Sequence, residues 1–433
     1  MLFDRRAFTL SLGGVIGLLA NGAAGAARAP AGRVPGQWEA TDAIWLSADV
    51  KRPEYMEASA RMMTALAPHV PLRLLVKSKE DAELARDGLD ARGVAMGRVP
   101  IHEHHDVGYF IREAALFAQD GSGRKAVVDF DWNTYGLADW CATYLYPDRP
   151  SQAKACADYA AMNKGVVDRW FADRTGATSL SIPIVLEGGA YEFNGRGVVL
   201  VSAPLTLQRN RGRTLDELER ILLTLPGIRK VIWLKEGLVE DPHLKSTITG
   251  NYVGIGTGGH LDEYVRFANS RTILLAWVED HEIDHHPLNA INRERMAENF
   301  ALLSAARDQD GRPFRIIKTP LPRIIERQET IVEKSADDLV FSVGSFPKSE
   351  GRKAGDTVTR VAAASYLNFL ICNKMVLLPT YEGAGTPKDV ENKVRRLFAD
   401  AFPGREIKFI DVTAINWGGG GIHCATLSEM RQA

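Results

Sequence analysis

The sequence predicts a single α/β domain in which five copies of a strand–strand–helix–strand unit close into a propeller-like ring. Three observations lead to this prediction. Short apolar, β-prone runs alternate with amphipathic helical segments. The same order of elements returns along the chain, which is typical of a repeat architecture. The first unit lacks a strand that only the last segment of the chain can supply, so both chain ends meet in one sheet. An open α/β stack is the structural alternative.

The clearest copy lies near the carboxyl terminus. Two β-prone segments around a tight Asn-Lys turn are followed by a helix and a closing strand, at 364–372, 375–380, 386–402 and 405–412. Thr386 is predicted to cap the helix, and Pro387 suits its first turn.

Three further copies and a split one complete the set. The complete copies span 258–319 and 182–235, and another begins at residue 105 with a helix over 154–174 but no closing strand that we could identify. The fifth copy begins with the strand, helix and strand of residues 42–77. We predict that the segment around Cys424 completes it.

Composition indicates an ordinary folded protein with a small-molecule or peptide partner. The 433 residues include 53 Lys and Arg against 54 Asp and Glu, a formal net charge of −1. No basic excess indicates nucleic acid, and no acidic tail indicates a disordered module. Four cysteines do not form a disulfide framework in a chain of this length. Cys141 and Cys156 could pair in an oxidising compartment, whereas Cys372 lies in an apolar run and is interpreted as core.

The amino-terminal segment is predicted to be an export signal. Arg5 and Arg6 precede Phe8, a modest apolar stretch and small residues, which is typical of a twin-arginine signal peptide. The stretch is too short and glycine-rich for a membrane span, so no stable membrane anchor is expected, although an uncleaved anchor and the cleavage position stay open. We assign residues 1–29 to the signal and 37–430 to the folded domain, and expect a periplasmic or secreted protein.

Four groups of polar residues fall at the start of a unit's first strand. Each lies beside glycine, which lets backbone pack closely around a ligand. The groups are HHDVG with Asp106, LEGGAYEFNG with Glu187, GTGGHLDEYVRF with His260 and Asp262, and GGGGIHC with Cys424. Units that share one axis would bring these positions together, so we predict the site at the centre.

The residue types in this set indicate chemistry on a guanidinium group. A thiol such as Cys424 becomes a better nucleophile near positive charge. His260 and Asp262 are two apart on a predicted strand and would face one side, where they suit acid–base catalysis. Several carboxylates in one pocket need a cation between them, and a planar guanidinium binds carboxylates bidentately. Taken singly, each motif is equally typical of a turn or a surface pair.

From about residue 37 to 428 the chain resembles the agmatine deiminase and bacterial, Porphyromonas-type peptidylarginine deiminase family of the pentein superfamily. The matching motifs occur in the family's order: DFDWNTYG, VLEGGAYEFNGRG, RNRGRTLDELERIL, KVIWLKEGL, TGGHLDEYVRF, ASYLNFLICN and GGGGIHC. The resemblance implies a five-bladed ββαβ propeller with pseudo-fivefold symmetry. It implies a hydrolase that converts agmatine to N-carbamoylputrescine and ammonia, a reaction of putrescine and polyamine biosynthesis, with no metal or organic cofactor.

The resemblance also implies a role for each site residue. Cys424 would form a covalent thiouronium intermediate, and His260 would protonate the departing ammonia and then activate water. Asp106 and Asp262 would hold the guanidinium nitrogens, and Glu187 would orient His260. The remaining predicted substrate-binding residues are Glu103, Asn368 and Gly421.

The chain departs from the family's Trp-x-Arg-Asp-x-Gly-Pro motif, which we align with EHHDVGY. Asp106 and Gly108 remain in this alignment. The substitutions are Glu103 for Trp, His105 for Arg, Tyr109 for Pro and, near the carboxyl terminus, Gly421 for a frequent Asn. These changes spare the guanidinium chemistry but leave the substrate's distal end open, because Glu103 could receive an amine such as that of agmatine.

Three alternatives stay open on the sequence alone. The same chemistry could act on arginine residues of peptides, although Glu103 would repel a terminal carboxylate. A metal-dependent hydrolase could use the His- and Asp-rich stretches IHEHHD (101–106) and DHEIDHH (280–286), but these lack the HExxH spacing. A non-catalytic protein could bind a guanidino compound without turnover. The sequence does not fix the oligomeric state, and a homo-oligomer remains possible.

Overall fold

The computed structural model describes residues 30–162 and 167–431, and the strand–strand–helix–strand order occurs five times in them. In each unit the first strand pairs antiparallel to the second, and the second pairs parallel to the third across a helical connection. The predicted export signal, residues 1–29, lies outside the described residues.

Between Thr41 and Val185 the described residues form six strands and five α-helices, which belong to the first two units. The first has β1 (Thr41–Ser47), α1 (Pro53–Leu66), β2 (Leu72–Val76), α2 (Lys79–Asp90) and an added strand β3 (Ile101–Glu103). The second has β4 (Leu116–Gln119), β5 (Lys125–Asp131), α3 (Leu137–Trp140), α4 (Pro150–Met162), α5 (Val167–Thr175) and β6 (Thr178–Val185).

The third and fourth units are each followed by part of a further sheet. The third has β7 (Tyr191–Phe193), β8 (Val198–Ser202), α6 (Ala203–Arg209), α7 (Leu215–Leu222) and β9 (Lys230–Leu234), followed by β10 (His243–Thr249) and β11 (Tyr252–Thr257). The fourth has β12 (Val265–Asn269), β13 (Thr272–Trp277), α8 (Pro287–Ala305) and β14 (Arg315–Pro320), followed by β15 (Glu326–Thr330) and β16 (Thr357–Val361). These additional strands form a four-stranded sheet in the order β10-β11-β16-β15, which the repeat analysis did not predict.

The fifth unit and the chain's final strand confirm that the two ends are joined. The unit has β17 (Leu370–Cys372), β18 (Met375–Pro379), α9 (Lys388–Ala401) and β19 (Glu406–Ile410), and the chain continues through α10 (Thr413–Asn416) to β20 (Thr426–Met430). Strand β20 pairs antiparallel with β1. The buried Trp45 indole N–H donates to Glu429 at 3.0 Å across this pair. The segment after Cys424 therefore completes the first unit, as predicted.

The missing closing strand of the second unit is β6. It pairs in parallel with β5, and its last residues are the IPIV run at 182–185 that the sequence analysis assigned to the start of the next unit. That assignment was wrong because the closing strand of one unit and the first strand of the next have the same apolar sequence pattern. The third unit instead begins at β7, after the turn that contains Glu187 and Gly188.

The helix of the fifth unit begins without the predicted cap. Helix α9 begins at Lys388, preceded by Pro387, and has no side-chain cap. The Thr386 hydroxyl instead accepts the backbone N–H of Arg323 at 3.1 Å. The threonine therefore joins two segments of the fold, a tertiary contact that helix-end statistics do not contain. By contrast, Thr214 and Glu217 form a complete capping box at α7.

A disulfide fixes the helical connection of the second unit. Cys141 and Cys156 are bonded, which joins the segment after α3 to α4; Cys372 and Cys424 are free and buried. The burial of Cys372 in β17 confirms its interpretation as a core residue. No helix of the described residues is long and apolar enough to cross a membrane.

Candidate active site

The glycine run before Cys424 is required by close packing around it. Gly419 has φ +87°, and a Cβ there would lie 2.7 Å from the carbonyl oxygen of Ile255. A Cβ on Gly420 would lie 2.7 Å from the ring of Phe110, and one on Gly421 would lie 2.6 Å from Asn368 Oδ1. The run therefore brings backbone against neighbouring elements, and the asparagine that is frequent at the position of Gly421 would not fit against Asn368 as placed here.

The Cys424 thiol is held in a buried polar setting. The residue is 5% exposed. Its Sγ accepts a hydrogen bond from Asn368 Nδ2 at 3.1 Å and donates to Asp262 Oδ2 at 3.3 Å. Burial and the neighbouring Asp262 and Glu263 carboxyls raise the pKa of the thiol well above its usual value. In the free protein the Cys424 thiol is therefore protonated. A cation placed beside it would favour the thiolate.

Asn368 connects the thiol loop to the acidic residues. Its Nδ2 also donates to Glu263 Oε1 at 2.7 Å, while its Oδ1 accepts the backbone N–H of His423 at 2.8 Å. These contacts fix the amide so that its N–H group faces sulfur. The structure thus places the predicted Asn368 in direct contact with the predicted nucleophile.

His260 is buried between two carboxylates. Its Nε2 lies 3.4 Å from Glu187 Oε2, and its Nδ1 lies 3.9 Å from Glu113 Oε1. Burial alone would lower the pKa of the imidazole, but the hydrogen bond to Glu187 and the charges of Glu113 and Glu187 outweigh it and raise the pKa to about 9. His260 is therefore an imidazolium at neutral pH and can act as a proton donor.

Glu187 is fixed by an ion pair on its other side. Its Oε1 accepts a short hydrogen bond from the Arg209 Nε–H, and both side chains are fully buried. Burial would raise the pKa of this carboxyl, but Arg209 and His260 outweigh it and lower the pKa to about 2. An ionised Glu187 therefore lies in contact with His260, and its predicted role of orienting the imidazole stays a prediction.

Asp262 and His260 do not lie on a strand, which corrects the sequence prediction. His260 precedes a 3₁₀ turn, Leu261–Glu263, and β12 begins only at Val265. Asp262 accepts the N–H of His423 Nδ1 at 2.7 Å as well as the thiol of Cys424. The turn brings the two side chains to one side by its curvature rather than by strand alternation.

Several buried polar atoms in and beside the site lack a hydrogen-bond partner among the described residues. Two of them, His260 Nδ1 and Asp262 Oδ1, lie close together. A Cβ added to Gly189 would lie 2.3 Å from the first and 2.9 Å from the second, so both atoms face the open side of this glycine. Buried polar groups are normally satisfied, and these two atoms are free to bind substrate.

Replacement of Gly189 with Ala is expected to lower kcat/KM at least about 100-fold, because the methyl group displaces His260 and fills the space beside Asp262. Steady-state kinetics on the purified variant measure the loss. Gly108→Ala is the matched control, since Gly108 lines a cavity that borders the buried site and a Cβ there meets nothing within 4 Å. Equal activity in the two variants would contradict the assignment of this space to substrate.

Glu113 is a residue of the site that the sequence did not single out. It is 12% exposed at its side chain and accepts the backbone N–H of Gly188 at 2.7 Å. Burial raises the pKa of its carboxyl to about 7, and the adjacent imidazolium of His260 limits the rise. The preceding Arg112 is buried, and its backbone N–H and side-chain Nε–H donate to the carbonyl oxygens of Cys424 and His423. Arg112 thus anchors Glu113 against the thiol loop.

A signal for Glu113 was present in the sequence. Phe110-Ile111-Arg112-Glu113 has the aromatic–x–Arg–acid spacing of the family's Trp-x-Arg-Asp motif, and Phe110 packs over the glycine run. We had aligned that motif seven residues earlier, where Glu103, His105 and Asp106 stand. The structure favours the later alignment, because it brings Glu113, and not Asp106, to His260.

Asp106 and Glu103 lie farther out. Asp106 is half-buried, pairs with the exposed His105 at 3.4 Å and lines the cavity that leads to the site. Glu103 is exposed at the end of β3 and is not among the lining residues. Cys424, His260, Asp262, Glu187 and Asn368 come together in the structure, whereas these two predicted residues do not join them.

A cavity of about 370 Å³ borders the buried group. Glu113 and Tyr135 belong to its wall, and the Tyr135 ring lies 6.1 Å from the ring of His260. The carboxylic acids of the lining are Asp106, Glu113, Asp131 and Asp168, against one lysine, Lys77. Burial and a hydrogen bond to Asp129 raise the pKa of Asp168 to about 8, so this residue adds little charge at neutral pH. The cavity therefore suits a cationic ligand better than an anionic one.

A buried thiol, an imidazolium and carboxylates at the end of an acidic cavity define an enzyme site for nucleophilic attack on a cationic group. The chain belongs to the Porphyromonas-type peptidyl-arginine deiminase family, whose model matches residues 33–429. It is accordingly an amidine-hydrolysing enzyme of the pentein group.

Relatives and solved structures agree with this placement. A Selenomonas ruminantium protein named "Putative agmatine deiminase" is 30% identical over 311 residues, 71% of this chain and 70% of the relative. A Pectobacterium atrosepticum protein of the same name is 25% identical over 91% of this chain and 93% of its own length. The solved agmatine deiminase of Enterococcus faecalis matches with a TM-score of 0.67 and 22% identity, covering 93% of this chain and 96% of that one. At that identity, the last match shows the shared α/β fold.

Proposed function

We propose that this protein hydrolyses the guanidino group of agmatine to give N-carbamoylputrescine and ammonia. The observation that carries the proposal is the convergence of the Cys424 thiol, the His260 imidazolium and the Asp262 and Glu113 carboxylates beside the two unpartnered atoms at Gly189. The names of the relatives support the choice of agmatine. The acidic cavity supports it as well, because it accommodates the substrate's second cation, the distal ammonium.

The substrate's own charge activates the nucleophile. The guanidinium binds between Asp262 and Glu113 and supplies the positive charge that the thiol lacks in the free protein, so the Cys424 proton passes to solvent water and a thiolate forms. Sulfur attacks the guanidinium carbon to form a tetrahedral adduct. His260 gives a proton to the departing nitrogen, ammonia leaves, and a thiouronium remains on Cys424.

Water completes the reaction. His260, now neutral, takes a proton from a water molecule, whose oxygen attacks the thiouronium carbon. The carbon–sulfur bond breaks, the hydroxyl proton of the adduct passes to sulfur to restore the thiol, and a neutral ureido product is released. The ionised Glu187, held by Arg209, stabilises the imidazolium each time it forms. One agmatine and one water thus yield one N-carbamoylputrescine and one ammonia.

A direct assay tests this function. The purified mature protein is offered agmatine, free arginine and peptides with arginine at the carboxyl terminus, and ammonia and ureido product are measured for each. We expect agmatine to be preferred, because the acidic cavity repels a carboxylate. Preference for the peptides would favour the second candidate, a peptidylarginine deiminase, which the family's description supports. No product from any of the three by folded protein would overturn both.

The dependence of kcat/KM on pH should show the ionisation of two groups of the free enzyme, His260 and Glu113. His260 must be protonated, so kcat/KM should fall as the pH rises through about 9. Glu113 must be ionised, so kcat/KM should fall as the pH drops through about 7. Rates between about pH 5 and 10 measure both limbs. In the Glu113→Gln variant, the fall of kcat/KM below about pH 7 should disappear. A pH profile unchanged by this substitution would contradict the assignment of that fall to Glu113.

We also propose that the five units surround a common pseudo-fivefold axis as blades of a propeller. The repeated strand pairing and the β1–β20 closure support this arrangement. A crystal structure in which successive units superpose by rotation about one axis would test it.

We further propose export by the twin-arginine pathway. The Arg5–Arg6 pattern and the Cys141–Cys156 disulfide, which suits an oxidising compartment, support it. Cell fractionation should find the wild type in the periplasm and an Arg5→Lys, Arg6→Lys variant in the cytoplasm. Wild-type protein confined to the cytoplasm would contradict the proposal.

A further inference from the structure

The histidine-rich stretch after β3 forms a compact cluster that the deiminase chemistry does not use. His104, His105 and Asp106 follow directly on the strand's last residue. His105 and Asp106 line the outer part of the cavity, and the His105 side chain is 80% exposed. Glu113, and not Asp106, lies next to His260. Asp106 is therefore not needed to hold the guanidinium group, the role that the resemblance implied for it.

The three side chains present their donor atoms together. One nitrogen of each imidazole and one oxygen of Asp106 all lie within 4.8 Å of one another. The rings of His104 and His105 stack with centroids 4.9 Å apart and planes 15° apart. Asp106 Oδ2 lies 3.4 Å from His105 Nε2. The solvent-exposed His105 can turn by the small amount needed to close these separations around an ion.

Two imidazoles and one carboxylate are a ligand set that divalent zinc and its neighbours prefer. The Asp106 backbone N–H donates to His104 Nδ1 at 3.2 Å. Coordination costs at most this long hydrogen bond and leaves a fourth position for water.

We propose that His104, His105 and Asp106 bind a divalent transition-metal ion of the chemistry of Zn²⁺ at the rim of the cavity, and that the bound ion weakens capture of a cationic substrate. The ion neutralises Asp106 and adds positive charge to a cavity whose charged lining is mainly acidic. It lies outside the buried site, so the chemical step is unaffected. The effect on substrate capture rests on the proposed function, whereas metal binding does not.

Calorimetric titration with Zn²⁺ tests the site. The full-length mature chain carries Cys424→Ser, because Asp262, Glu263 and Cys424 also place three donor atoms within 4.8 Å. We expect one ion per chain and at least about tenfold weaker binding in His104→Ala, His105→Ala. The matched control is His281→Ala, His285→Ala, which removes two histidines whose rings lie 6.3 Å apart and leaves affinity unchanged. Equal affinity in both double variants would overturn the site.

Co²⁺ gives a second readout, because its visible absorption reports nitrogen and oxygen ligands. The spectrum should form with the Cys424→Ser chain and be lost when His104 and His105 are replaced. A spectrum that persists in that double variant would also overturn the site.

Kinetics with the wild-type thiol test the consequence. Zn²⁺ should raise KM for agmatine at least about threefold without changing kcat, a chelator should reverse the rise, and His104→Ala, His105→Ala should abolish it. A KM unchanged by Zn²⁺ that binds through these histidines would overturn the effect on capture. A protein that binds Zn²⁺ through them but deiminates no substrate would overturn the proposed function and leave the site standing.

Discussion

Replacement of Cys424 with Ser is expected to lower kcat for deimination by at least about 1,000-fold. Serine keeps the size of the side chain and can still contact Asn368 and Asp262, which lie 3.1 and 3.3 Å from sulfur. Its hydroxyl, however, ionises far less readily than a thiol, so a cationic substrate no longer creates a nucleophile. Ammonia release under saturating substrate measures the loss.

A matched thiol variant separates chemistry from folding. Cys372 is the other free cysteine among the described residues, fully buried in β17, and burial raises the pKa of its thiol to about 12. Cys372→Ser should lower stability by about 1–3 kcal/mol, because it buries a hydroxyl in an apolar setting, while kcat stays within about twofold of wild type. Cys424→Ser with activity near that of Cys372→Ser would exclude a covalent role for Cys424.

Acid-quenched turnover mixtures give an independent check on the same sulfur. Mass spectrometry of the wild type should find the substrate-derived amidino adduct on the peptide that contains Cys424. An adduct on any other residue would contradict the mechanism.

Glu113→Gln is expected to lower kcat/KM by roughly 100-fold, whereas Asp106→Asn lowers it less than about fivefold. Removing one partner of a buried charge pair costs about 2–5 kcal/mol, and Glu113 is the carboxylate next to His260, at 3.9 Å. Asp106 pairs with an exposed histidine at the cavity rim, where charge is screened by water. Each substitution replaces a carboxyl group with an amide of the same size, so the ratio of the two losses in kcat/KM reports the effect of position. Kinetics with agmatine measure both.

The opposite result, a larger loss in Asp106→Asn than in Glu113→Gln, would contradict the placement of Glu113 in the site. A large loss in Asp106→Asn with near-normal Glu113→Gln would restore the alignment made from the sequence. It would also mean that the rim moves inward when substrate binds, since in the present structure Asp106 pairs with His105 and lies at the outer cavity wall.

Local sequence predicted most of the elements because their causes are local. The apolar runs of β8, β13 and β18 are buried along their length, and the helices between strands carry one apolar face. The predictions that failed depended on distant partners. Thr386 bonds Arg323 rather than α9, and the sheet β10-β11-β16-β15 joins strands about 100 residues apart.

For the site, the sequence indicated which chemistry is possible, and the tertiary structure decided which of the candidate residues lie together. Cys424, His260, Asp262 and Glu187 could be named in advance because each reactive side chain lies near glycine in the sequence, and Asn368 could be named because its motif resembles that of the family. The choice between Asp106 and Glu113 could not, since both follow β3, precede β4 and are carboxylates. It was decided by Arg112, whose hydrogen bonds to the Cys424 loop hold Glu113 beside His260. Such contacts between segments some 300 residues apart form only when the chain ends meet in one sheet.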